Sequence, residues 1–125
     1  MNRSDLEKRT KQFALKIIRF VATLPKNKVG DVITYQLVKA GTSIGSNYRE
    51  AGRAESHSDF IHKIGIVEKE SSESQYWLEL CEEAQLGATE LRHWLLQEIG
   101  ELLAIFTQSG KAAKSNRAAA AGTRH

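Results

Sequence analysis

Four stretches of the chain repeat apolar residues at the three- and four-residue intervals of an α-helix. In the first stretch they fall within about 100° on a helical wheel, the stripe width of a helix that packs on one side. Ser4 with Glu7 is typical of a capping box, and Pro25 disfavours α geometry in the residue before it. The pattern therefore predicts a first helix over residues 4–24.

The second helix is predicted over residues 31–54, and three glycines, Gly41, Gly45 and Gly52, lie beside its apolar stripe. Glycine inside a helix costs about 1 kcal/mol relative to alanine, so these three require an explanation. Close approach of a neighbouring helix backbone is one explanation. A break of the helix at residues 41–43 is the alternative.

The third and fourth predicted helices, residues 58–84 and 90–109, carry more apolar surface than one bundle core buries. The third has two stripes on nearly opposite faces, and the apolar arc of the fourth reaches about 200°, twice the usual width. Since large exposed apolar patches are unusual on monomers, this pattern predicts self-association. The candidate interface residues are Ile66, Trp77, Leu80, Leu96 and Leu103.

Short links and the lack of strand alternation predict an all-α protein, an antiparallel up-down-up-down four-helix bundle over residues 1–110. Residues 111–125 are Ala-rich and basic without a core-facing stripe, which predicts a flexible basic C-terminal tail. The 125 residues, 41% of them hydrophobic, suffice for one domain that folds without disulfides or metal. The chain has no long apolar run and no signal-peptide pattern at its start, so we expect a cytoplasmic protein that does not associate with membranes.

Charge is distributed unevenly along the chain. Residues 1–30 hold eight Lys/Arg and two acids, residues 57–110 hold three Lys/Arg and ten acids, and residues 111–125 add four Lys/Arg. This asymmetry suits either contacts between subunits or a polyanion such as RNA or DNA, and a solvated helix face is the simpler alternative. The candidate nucleic-acid-binding residues are Lys8, Arg9, Lys11, Lys16, Arg19, Lys111, Lys114 and Arg117.

Motifs for enzymatic chemistry are incomplete. Residues 90–93 match Glu-x-x-His, but a di-iron bundle needs two such motifs and two further glutamates, and His93 falls outside the apolar stripe. Cys81 has no Cys-x-x-Cys partner, and neither a phosphate-binding loop nor a Gly-x-Ser-x-Gly elbow is present. We therefore expect no enzymatic activity, no cofactor and no metal site.

A set of polar residues lies on the second and third helices beside the apolar stripes. Since a buried acid without a partner is costly, we expect Arg49 and Arg53 to pair with Glu70 and Glu73 in a network that fixes helix register or a subunit contact. A site for an external ligand is the alternative. The candidate network residues are Asn47, Arg49, Glu50, Arg53, Glu70 and Glu73.

Several motifs between Gly41 and Leu80 resemble one protein family. They are Ser43-Ile44-Gly45-Ser46-Asn47-Tyr48-Arg49-Glu50-Ala51, Arg53-Ala54-Glu55-Ser56, Asp59-Phe60-Ile61-His62-Lys63, Lys69-Glu70 with Glu73, and Tyr76-Trp77-Leu78. This combination resembles the four-helix-bundle proteins encoded in intervening sequences of bacterial 23S ribosomal RNA genes.

The resemblance implies a cytoplasmic four-helix bundle that assembles as a homopentamer. The architecture is also similar to the accessory variability determinant proteins of diversity-generating retroelements, basic pentameric barrels that bind nucleic acid and a reverse transcriptase. We therefore predict a non-enzymatic homo-oligomeric interaction protein that binds nucleic acid through the first helix and the tail. The alternative is an oligomeric scaffold that docks a protein partner without binding nucleic acid.

Overall fold

The computed structural model describes the backbone of residues 1–122 and the side chains of residues 1–116. Its four helices are α1 (Arg3–Val21), α2 (Lys28–Ala51), α3 (His57–Ala84) and α4 (Thr89–Gly122). Each helix packs against the next one in the chain, and α4 packs back against α1. The predicted four-helix bundle is confirmed, and α1 and α3 occupy diagonal corners of it. No helix in this part of the chain is both long and apolar enough to span a membrane.

Capping side chains set the starts of the first three helices. The Asn2 side chain accepts a hydrogen bond from the backbone N–H of Asp5, and the Asp5 carboxylate accepts one from the Asn2 backbone, a reciprocal capping box. The predicted box at Ser4 and Glu7 is therefore wrong. Asn27 caps α2, which begins at Lys28 and ends at Ala51 rather than covering 31–54. The starts of α1 and α2 differ from the predicted ones for the same reason: an asparagine just upstream supplies the acceptor for the free N–H groups of the first turn.

The core consists of the predicted apolar stripes, and only one of the two predicted stripes on α3 is part of it. Phe13, Ile17, Leu37 and Ile44 are buried, as are the central residues of the α4 stripe. On α3, the buried face is formed by Ile64, Val67, Ser71, Ser74, Leu78 and Cys81. The second α3 stripe, with Ile66 and Trp77, therefore lies away from the core.

Two glycines bring α1 and α2 close together. A Cβ atom on Gly41 would lie 2.9 Å from Cγ1 of Ile17, and one on Gly45 would lie 3.0 Å from Oγ1 of Thr10. Since α2 is continuous through residues 41–43, the alternative of a broken helix is wrong. Close helix approach is the reason for these glycines, and we call this contact the glycine seam.

Helix α4 continues past the predicted end at 109. Gly110 is buried, and the place of its missing side chain is taken by the side chain of Glu68 on α3. Ala113 is 5% exposed, and its carbonyl oxygen lies 2.9 Å from Nε2 of His57. Residues 111–116, placed in a mobile tail by the sequence pattern, are therefore helical and anchored on α3. The side chain of Arg117 and residues 123–125 lie outside the described part of the chain.

Candidate interaction surfaces

Three of the predicted nucleic-acid-binding residues on α1 are free. Lys8, Lys11 and Arg19 are exposed, and none of them makes an ion pair or hydrogen bond with a residue whose side chain the structure describes. They lie on the side of α1 opposite to its buried residues. This arrangement leaves their charges available to a partner.

The two other basic candidates on α1 are occupied by contacts with α4. Nε and Nη2 of Arg9 each donate a hydrogen bond of 2.8 Å to the Glu98 carboxylate, and Nη2 also contacts Glu101 at 2.7 Å. Hydrogen bonding to Glu98 raises the pKa of Arg9 above its ordinary value. Nζ of Lys16 lies 4.7 Å from the ring centroid of Trp94, a cation–π contact. Arg9 and Lys16 therefore join α1 to α4.

The basic candidates near the end of α4 are exposed where the structure describes them. Lys111 and Lys114 both face solvent, and Lys114 borders an open groove of about 430 Å³ between α3 and α4. Helical structure in this segment places both lysines on a continuation of α4, which the sequence pattern did not predict.

The predicted interface residues are only partly accessible in one chain. Ile66, Trp77, Leu80, Leu96 and Leu103 are all half-buried. The more exposed large apolar side chains lie mainly on α1 and α2, outside the stripes that the periodicity emphasised. They are Leu15, Ile18, Val29, Val32 and Tyr35, with Tyr76 on α3 and Trp94 on α4.

The predicted polar network does not form as one unit. Arg49 lies 3.7 Å from Glu7 on α1, and Glu50 lies 3.7 Å from Lys63 on α3. The Asn47 amide donates a hydrogen bond to the carbonyl oxygen of Ser43 within α2. Arg53 is exposed. Within one chain, Arg49 and Arg53 therefore do not pair with Glu70 and Glu73, since the arginines lie nearer to α1 and to solvent.

Two polar atoms on the outer stripe of α3 are shielded from solvent without a partner among the described residues. They are Oε2 of Glu70 and Nε1 of Trp77. Burial raises the pKa of Glu70, and the charge of Glu73 adds to that effect. The rings of Tyr76 and Trp77 meet edge to face, with centroids 5.3 Å apart. We call Glu70 and Trp77 the unsatisfied pair.

A second polar cluster, at the turn between α3 and α4, was not predicted from the sequence. Arg92 is 1% exposed, and its Nε donates a hydrogen bond of 2.7 Å to Glu82. Its Nη1 donates to the carbonyl oxygens of Leu86 and Gly87, at 2.9 and 3.0 Å. Nε2 of His93 lies 2.9 Å from the other Glu82 oxygen. We call these residues the Arg92 cluster.

His93, the histidine of the Glu-x-x-His match at residues 90–93, belongs to the Arg92 cluster. His93 contacts a single carboxylate, and no group of three or more potential metal ligands occurs within the described residues. The hydrogen bond from Arg92 lowers the pKa of Glu82, and His93 acts in the same direction. The cluster therefore fixes the α3–α4 turn through charge-assisted hydrogen bonds.

Comparison with known proteins assigns the bundle to one protein family. The profile of a family described as 23S rRNA-intervening sequence protein matches residues 3–108. The chain is also similar to the crystal structure of a protein with unknown function from the S23 ribosomal protein family of Bacteroides thetaiotaomicron VPI-5482. The two are 31% identical with a TM-score of 0.78, and the match covers 89% of this chain and 99% of the other. No curated protein matches this chain.

Proposed function

Because the chain belongs to the family of 23S rRNA-intervening sequence proteins, we propose that it is a non-enzymatic interaction protein that works as an assembly of identical subunits. One observation carries this proposal: large apolar side chains remain exposed on the outside of a bundle whose core is complete. Ile18 is 51% exposed, Tyr35 64% and Tyr76 55%. Exposed apolar side chains also neighbour one another along single helices, Leu15 with Ile18 on α1 and Val32 with Tyr35 on α2. Patches of this kind are more typical of interaction sites than of isolated monomers.

The number of subunits we propose is five, the number that the family resemblance implies. Closed cyclic symmetry is also the general expectation for identical chains. In such a ring, every exposed group of one chain is repeated around the assembly, so weak contacts with a partner add together.

Light scattering in solution tests the assembly. We expect the parent chain to have a mass several times that of one chain. Trp77→Glu and Leu103→Glu introduce charge at half-buried apolar positions and should reduce the mass to that of one folded chain. Gln108→Glu, on an exposed polar position of α4, is the matched control and should keep the parent's mass. A parent chain that is folded and has the mass of one chain contradicts the proposal.

A second candidate function is nucleic-acid binding, which is favoured by free basic side chains on α1 and α4. Lys8, Lys11, Arg19, Lys111 and Lys114 are exposed and form no ion pair among the described side chains. Contacts between phosphates and such residues release counterions, so the affinity falls steeply with salt. Gel-shift titrations of structured RNA at two salt concentrations test this function, and no binding at low salt contradicts it.

A further inference from the structure

One surface of α1 combines positive charge with exposed aliphatic side chains. It consists of Lys8, Lys11, Leu15, Ile18 and Arg19, which we call the basic α1 face. At 3.6 residues per turn, these residues lie within about 100° of one another and span about 16 Å along the helix. Leu15 and Ile18, between the charges, are 43% and 51% exposed. A partner for this face therefore needs negative charge and apolar surface together.

One surface of α3 has the opposite charge and a similar length. It consists of Glu73, Tyr76, Glu79, Leu80 and Glu83, which we call the acidic α3 face. Its residues lie within about 120° and span about 15 Å. Its three carboxylates form no ion pair with the described residues, and Tyr76 is 55% exposed. The unsatisfied indole N–H of Trp77 lies directly beside this face.

The two faces of one chain cannot meet. Helices α1 and α3 occupy diagonal corners of the bundle, and their backbones are not adjacent. Their outer faces point away from opposite sides of the molecule. A contact between the faces must therefore join two copies, and because the surfaces differ, it is a head-to-tail contact that leaves one face free at each end.

We propose that the basic α1 face of one copy binds the acidic α3 face of the next copy. This inference rests on the self-association proposed above and names two surfaces that meet in it, without making them its whole interface. Opposite charges fix the register of the two helices, while the aliphatic and aromatic side chains between them exclude water. Repetition of the contact closes a ring when the rotations add up to a full turn.

A second copy fits the basic α1 face better than nucleic acid does. Leu15 and Ile18 are two of its five residues, and aliphatic side chains offer no hydrogen bond to a phosphate backbone. The acidic α3 face supplies both the negative charge and the apolar surface that a partner of the basic α1 face needs, and each chain carries one of each face.

Charge reversal tests the contact in three variants. Lys8→Glu/Lys11→Glu/Arg19→Glu places acids against acids, and Glu73→Lys/Glu79→Lys/Glu83→Lys places lysines against basic residues. Each should weaken association at least about 100-fold, since facing like charges cost several kcal/mol. A chain carrying all six changes has the charges exchanged and should regain the parent's mass. Lys26→Glu/Lys28→Glu/Lys111→Glu is the control with the same change in charge at exposed positions elsewhere, and it should assemble as the parent does.

The outcomes separate this inference from the proposed self-association. An assembled parent with both triple variants at its mass overturns the inference but leaves self-association intact. A parent with the mass of one chain removes self-association itself. If the first triple variant keeps the parent's mass but loses RNA binding, the basic α1 face serves nucleic acid and the inference is wrong.

A mixing experiment covers the case in which the chain that carries all six changes does not fold. Equal amounts of the two triple variants, each folded by circular dichroism, should associate with one another although neither associates with itself. Failure of the mixture to associate also overturns the inference.

Discussion

The two polar clusters that involve α3 differ in how far the chain satisfies their hydrogen bonds. In the Arg92 cluster, the buried guanidinium has three acceptors within 3.0 Å. In the unsatisfied pair, Oε2 of Glu70 and Nε1 of Trp77 are shielded from solvent and have none among the described residues. Buried polar groups are normally hydrogen-bonded, so the first cluster is complete in one chain and the second is not.

This difference indicates separate roles for the two clusters. A complete buried cluster stabilises the fold, because each donor removed leaves an acceptor unsatisfied. An incomplete one contributes little to the isolated chain and offers hydrogen-bonding groups to another molecule. Substitutions in the Arg92 cluster should therefore affect stability, and those in the unsatisfied pair should affect association.

The largest expected effect is that of Arg92→Ala. The change leaves the carbonyl oxygens of Leu86 and Gly87 without their donor and opens a cavity, so we expect a loss of about 3 kcal/mol in the free energy of unfolding. Urea denaturation measures it. Arg92→Lys keeps the charge but has one donor group in place of the fork, and it should lose less. A loss for Arg92→Ala no larger than that for Trp77→Phe would erase the contrast between the clusters.

Lowering the pH should reduce the contribution of Glu82 to the free energy of unfolding and increase that of Glu70. The pKa of Glu82 is lowered from 4.5 by the Arg92 hydrogen bond, so its contribution to stability is present above that pH and is lost as the pH falls through the lowered value. The pKa of Glu70 is raised by burial, so its contribution is present below 4.5 and is lost as the pH rises through the raised value.

Two amide variants isolate these contributions. At pH 7, Glu82→Gln should lower the free energy of unfolding and Glu70→Gln should raise it. Towards about pH 3 both differences should shrink, because the carboxyl groups of the parent become protonated. Urea titrations at a series of pH values provide the measurement. Differences of the same sign for the two variants at pH 7 would show that the carboxylates have equivalent surroundings.

The smallest expected effect on stability is that of Trp77→Phe. The change removes an N–H group that has no acceptor within the described residues, so the free energy of unfolding should change by less than about 1 kcal/mol. Association measured by light scattering should weaken if a second copy accepts this hydrogen bond. Trp94→Phe, on α4 away from the acidic α3 face, is the matched control. A large loss of stability with unchanged association would place Trp77 among the residues that hold the single chain together.

Periodicity predicted most of the fold, because burial of Phe13, Ile17 and Leu37 follows directly from their helical spacing. Helix ends were less predictable: Ser4 with Glu7 fits a capping box as well as Asn2 with Asp5 does, and only the backbone decides between them. Gly110 reads as a helix end, yet its lack of a side chain is what lets α4 pack against Glu68.

The surfaces were harder to predict than the core. The burial of Arg92 depends on carbonyl groups of the preceding turn, whose direction is fixed only once that turn has formed. The sequence pattern singled out Trp77 but did not show that its N–H would be shielded and unpaired. Leu15 and Ile18 interrupt a polar face, and a search for continuous stripes passes over such isolated apolar residues.

The glycine seam couples the side-chain sizes at opposing positions of α1 and α2. A larger residue at position 41 would meet Ile17, and one at position 45 would meet Thr10. In other members of the family, a larger side chain at either of these α2 positions requires a smaller residue at the opposing α1 position. Only then can the two helices keep the same spacing. Positions 17 and 41, and likewise 10 and 45, should therefore covary in volume.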